Sequence, residues 1–100
     1  MPTITCFEEI RARQTAWALT RRIYERSNRG AFARDYGLRN QIRRASVSIM
    51  SNIAEGYESE TQTQFIRYLG LAKASAGEVR SQLYVALDAG YLNEADFDAL

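Results

Sequence analysis

Histidine is absent from this sequence, cysteine occurs once (Cys6) and proline once, and each scarcity removes a class of chemistry or structure. Without histidine there is no imidazole base, no Ser-His or Cys-His nucleophile pair and none of the common zinc ligand sets. One cysteine excludes a disulfide within the chain. One proline and 6 glycines leave little to interrupt long helices. No stretch of eighteen apolar residues occurs, and Met1 to Ile10 lacks the basic start and apolar run of a secretory signal; the expectation is a cytoplasmic protein with no membrane span. Gly37 and Gly56 are isolated and form no phosphate-cradling loop. What remains is an ordinary globular composition, 46% apolar and 25% charged, on 100 residues, a length for a single domain over 1–100.

The net charge of +1 conceals an asymmetry: residues 1–44 sum to +6 and residues 45–100 to −5. Nearly all the cations are arginine, the side chain suited to bidentate contact with phosphate or carboxylate.

Period and punctuation predict four helices. The first spans about Phe7 to Ser27, with Phe7, Ile10, Ala16, Leu19, Ile23 and Tyr24 as its apolar stripe. Ala31 to Gly37 reads as a linker. The second helix runs from Leu38 to Glu55, with Gly56 as its stop. Thr61 followed by Gln64 is a capping box that opens a third helix of roughly 28 residues, on the order of 42 Å, reaching Ala89 before Gly90. Asn93 and Asp96 begin a short fourth helix carrying Phe97 and Leu100. The fold class is all-α.

Two helices carry more packable surface than one core can hide. In the third, Phe65, Leu69, Ala72, Ala76, Val79, Leu83 and Leu87 form the core seam, while Gly70, Ala74, Gly77 and Ser81 make a second stripe of small residues. Each interior glycine costs roughly 1 kcal/mol against alanine, so close approach of another helix is expected there; a tolerated solvent face is the alternative. In the second helix, Leu38, Ile42, Ala45, Ile49 and Ile53 face the core, and Val47, Met50 and Ala54 form another apolar row. Both second stripes point to a homo-oligomer interface.

Arg39, Arg43 and Arg44 on the second helix, with Arg21, Arg22 and Arg26 near the end of the first, are the candidate nucleic-acid-binding residues. The bland alternative is a solvated face with local pairs such as Arg21–Glu25 and Arg22–Glu25. Trp17 and Tyr24 read as core or interface residues rather than stacking platforms. No catalytic or metal-binding residue and no cofactor is assigned. Glu55 beside Asn52 lacks the second titrating group that a hydrolase or transferase would need.

The run from Tyr36 to Tyr57, especially Gln41 to Gly56, resembles the signature of a bacterial family encoded by intervening sequences in 23S ribosomal RNA genes, related to accessory proteins of diversity-generating retroelements. Phe65-Ile66-Arg67-Tyr68-Leu69, Ala72, Ser75, Glu78, Gln82-Leu83 and Gly90-Tyr91-Leu92 extend the likeness over nearly the whole chain, and Ile10, Ala16, Leu19 and Tyr24 fit its spacing. Arg13 where the family often has tryptophan, Ala74 for a usual glycine and Arg80 for a usual acid depart from it. The resemblance implies an up-down antiparallel four-helix bundle, here with a short or truncated fourth helix, assembling as a homopentamer without enzymatic activity. By analogy with the retroelement proteins it also implies basic surfaces that bind RNA or DNA and a nucleic-acid-processing protein. The functional expectation is a non-catalytic oligomeric scaffold or adaptor that binds nucleic acid through its arginines. The alternative is a purely structural protein–protein interaction module.

Overall fold

The breaks between helices fall where a side chain or a glycine satisfies the backbone groups that a helix end leaves open. The computed structural model describes residues 6–100, with side chains from Phe7 onward, so the reading over Met1 to Thr5 lies outside the described residues. Five helices follow one another: α1 (Cys6–Ser27), α2 (Gly30–Arg34), α3 (Tyr36–Glu58), α4 (Gln62–Asp88) and α5 (Glu94–Ala99). Asp35 caps α3 by accepting from the Leu38 amide at 3.1 Å, and Thr61 caps α4 by accepting from Gln64 at 3.2 Å. Asn93 caps α5 through the Asp96 amide at 2.7 Å. Gly90, at φ 81°, takes the left-handed conformation that ends α4.

Two sequence expectations are corrected here. The segment read as a linker, Ala31 to Gly37, contains α2, because Phe32 is buried to 2% exposure and stacks on Tyr91 with centroids 5.3 Å apart. Tertiary burial supplies what a five-residue helix lacks by itself. Gly56 does not stop a helix: α3 passes through it to Glu58, with no positive φ. Gly56 is buried directly against α4, where a Cβ would stand 3.4 Å from Leu69 Cδ2 and from Tyr68 Cβ, in van der Waals contact with both.

α3 is the central element. Its contact with α4 is the most extensive, that with α1 the next. Arg43 meets Ser27 while Met50 meets Thr20, which sets α1 antiparallel to α3; Ser48 meets Ser75 while Gly56 meets Leu69, which sets α4 antiparallel to α3. The result is a rod of about 45 × 22 × 17 Å. Its core is Ile23, Phe32, Ile42, Val79 and Ala86 with Ala16, Ala45, Ile49, Leu83 and Leu92. The α3 and α4 stripes thus face inward as their period predicts, with Leu38, Ile53 and Ala76 partly covered beside the core. The α1 stripe does so only in part: Ala16, Leu19 and Ile23 turn to the core, but Phe7, Ile10 and Tyr24 are exposed. No described helix is long and apolar enough to cross a membrane.

Candidate functional site

At one end of the rod, the close of α1, the whole of α2 and the start of α3 converge, and the arginines there are tied to helix ends. Arg43 donates through Nε to the buried Ser27 hydroxyl at 2.8 Å and through Nη2 to the Tyr24 carbonyl at 3.5 Å. A cation is favoured at that position by the carbonyl end of α1. Arg39 donates to the Ala33 carbonyl at 2.9 Å, serving α2 in the same way. Each also lies over a ring: Arg43 over Tyr24 and Arg39 over Tyr36, both 4.7 Å from the centroid, with Arg21 over Trp17 at 5.3 Å. Asp35, already the α3 cap, accepts from Tyr91 Oη at 2.8 Å. That hydrogen bond, followed by burial and the Asp35 charge, raises the Tyr91 pKa above its ordinary value.

The other arginines point elsewhere. Arg22 donates to the Ala99 carbonyl at 3.4 Å and Arg26 pairs with Asp96 at 3.3 Å, so both hold α5. Arg44 lies on the α4 side of α3, in a polar crevice of about 310 Å³ with Gln41, Glu78 and Gln82. Inside it, Ser75 donates to Ser48 at 3.0 Å, and Gln82 Oε1 is buried without a hydrogen-bond partner among the described residues; one turn along α3, Asn52 donates to the Ser48 carbonyl at 2.9 Å. The six arginines expected to share one surface are therefore divided among three. The reason is angular: 100° per residue turns Arg44 away from Arg43. The local pairs of Arg21 and Arg22 with Glu25 do not form among the described residues, whereas Arg13 pairs with Glu9 at 2.8 Å and Arg26 with Asp96.

The expected interface residues also separate. Gly70, Ala74, Gly77 and Ser81 form an exposed row on α4, and a Cβ at either glycine would meet nothing within 4 Å. Leu71 and Val85 are exposed as well. On α3, Val47 is exposed and Ala54 half-buried, but Met50 turns inward, with its sulfur 3.3 Å from the Thr20 hydroxyl. Trp17, read from the sequence as a core or interface residue, is 54% exposed and is therefore not core. It stands seven residues before Tyr24 on the same side of α1, and the Tyr24–Arg43 contact places that side next to the Arg43–Val47 row of α3. Glu55 is exposed, and its carbonyl accepts from the Ser59 hydroxyl at 2.8 Å. No group of three or more Cys, Asp or Glu residues arranged to hold a metal occurs among the described residues.

The family model for the 23S rRNA-intervening sequence protein matches residues 8–100 of the chain. No curated protein matches it.

Proposed function

The chain belongs to the 23S rRNA-intervening sequence protein family, and from that premise we propose that it is a non-catalytic oligomeric scaffold whose arginine–aromatic end binds RNA. The single observation that carries the RNA reading is the pair Arg43 on Tyr24 and Arg39 on Tyr36, two cations held on rings at one end of the rod, with Arg21 on Trp17 further along α1. Such pairs offer phosphates a fixed guanidinium, and unpaired bases an aromatic or guanidinium plane. Repetition around an oligomer multiplies the effect.

In this reading the protomer is an up-down four-helix bundle with α5 as a short fourth helix, and five copies close a ring in the cytoplasm. The exposed small-residue row of α4 receives the neighbour's Val47 and Ala54 face. Open space at Gly70 and Gly77 supports this, because two interior helical glycines with nothing against them are a cost without a benefit inside one chain. Arg39→Ala with Arg43→Ala should lower RNA affinity and make it less sensitive to salt, the log–log slope becoming shallower by about one for each phosphate that is no longer neutralised. Binding by filter retention at two salt concentrations reads this, and unchanged affinity discards the site. Gly77→Leu should split the assembly while leaving the fold intact, as read by sedimentation and circular dichroism; an unaltered oligomer removes α4 from the interface.

One observation favours the second reading, a structural protein–protein module. Arg39, Arg43, Arg22 and Arg26 already serve hydrogen bonds or ion pairs inside the chain. Under that reading the Arg39/Arg43 double variant loses stability and no RNA affinity.

A further inference from the structure

Two of the spaces along the rod differ in what they can hold. Between α1 and α4 lies an apolar trough of about 500 Å³ with Ala12, Ala16, Leu19, Ile49, Ile53 and Ala76 as its floor. The crevice of about 310 Å³ between α3 and α4 is polar instead, and its two walls carry opposite hydrogen-bonding character.

The α3 wall donates. Arg44 brings a guanidinium to the exposed mouth and makes no ion pair among the described residues. One turn on, Ser48 Oγ accepts from the Ser75 hydroxyl at 3.0 Å and from Asn52 Nδ2 at 3.1 Å, which leaves its own proton to donate. The α4 wall accepts. The Glu78 carboxylate is exposed at the mouth and also makes no ion pair among the described residues, and one turn on, Gln82 Oε1 is buried with no donor among them. A cation and an anion thus line one crevice without engaging each other, beside a buried carbonyl that calls for an N–H.

A planar ligand seated between these walls needs adjacent acceptors on one edge and adjacent donors on another. Guanine has that division. Its O6 and N7 accept side by side, the usual match for an arginine fork, and its N1–H and N2–H₂ donate side by side, the match for a carboxylate. Adenine, cytosine and uracil each carry a single donor nitrogen on their free edges.

We propose that the crevice holds one unpaired guanine of a single-stranded RNA, with O6 and N7 on Arg44 and with N1–H and N2–H₂ on Glu78 and Gln82 Oε1. The proposal rests on the RNA reading above and deepens it: Arg43 serves phosphates, and Arg44, turned from it by the helix, serves a base. A space of about 310 Å³ stands at the small end of ligand pockets, enough for one base and too little for a paired stem.

The test compares labelled single-stranded RNAs of about ten nucleotides, all uridine or with one central guanosine, adenosine, cytidine or inosine, by fluorescence anisotropy. The guanosine strand should bind roughly tenfold tighter than the all-uridine strand, and inosine, which lacks the N2 amino group, should lose most of that gain. Glu78→Gln and Arg44→Lys should each bring the guanosine strand to within about twofold of the all-uridine strand, with an unchanged melting curve. Arg39→Ala with Arg43→Ala should instead weaken every strand alike and keep the ratio. Equal binding of the guanosine, adenosine and all-uridine strands overturns the guanine site and leaves the RNA reading standing. A guanosine preference that survives Glu78→Gln also overturns it, because the base is then held elsewhere. If no strand binds, the RNA reading falls and the guanine site with it.

Discussion

The α3–α4 seam and the α1–α4 trough are built from similar small residues, and only one of them is closed. In the seam, Gly56, Ala45, Ala72 and Ser75 let two helices approach until a methyl group at Gly56 would touch Leu69 and Tyr68. In the trough, Ala12, Ala16 and Ala76 line an open volume with no facing helix beyond α5 among the described residues. A small side chain permits close approach but does not supply the partner. The outer row of α4 teaches the same lesson, since Gly70 and Gly77 sit on open surface although their spacing equals that of a packing stripe.

Gly56 is where the difference between seam and trough should be largest. Gly56→Leu should cost about 3 kcal/mol in urea unfolding, because the added atoms must displace Leu69 and the α4 backbone, while Ala12→Leu in the trough should stay within about 0.5 kcal/mol of the parent. Equal losses at the two positions would show that the trough is as tightly filled as the seam. Within the seam, Ser75→Ala removes the hydrogen bond to Ser48 and should cost about 1 kcal/mol. A neutral result would mean that solvent in the crevice replaces that bond. On the outer row of α4 the sign reverses: in a dilute, monomeric sample Gly77→Ala should raise stability by about 1 kcal/mol. A loss of stability in that sample would place an unseen neighbour against the row.

The smallest effect lies at the arginine end. The Tyr91–Asp35 hydrogen bond favours the neutral phenol, so the folded pKa lies above the ordinary 10.0. Its stabilising contribution is complete below pH 10.0 and is lost as pH rises through the folded value. The melting temperature should therefore fall less steeply above that pH in Tyr91→Phe than in the parent. Parallel curves would remove Tyr91 as the source.

Much of the fold was legible because helical period and capping are local. The Thr61 and Asn93 caps, the α4 seam and the α3 core face all stand where spacing places them. Gly56 and α2 were misread for a shared reason: both are decided by residues distant in sequence, Gly56 by Leu69 and α2 by the stack of Phe32 on Tyr91. The candidate site was legible as residue types, not as a surface. Charge counting found the arginines, but whether neighbours such as Arg43 and Arg44 share a face depends on helix phase and on which side meets another helix. Trp17 was left between core and interface because an aromatic residue on an amphipathic helix fits a core as well as an exposed face.

Sequence alone determined that this protein is helical, that histidine-based chemistry is closed to it, and which family it resembles, because composition, period and motif spacing are properties of the chain itself. Only the tertiary structure decided that the arginines divide among three surfaces and that one small-residue seam closes while another stays open. Those outcomes depend on how helices rotate and stack against one another, and that arrangement is fixed by contacts between residues tens of positions apart.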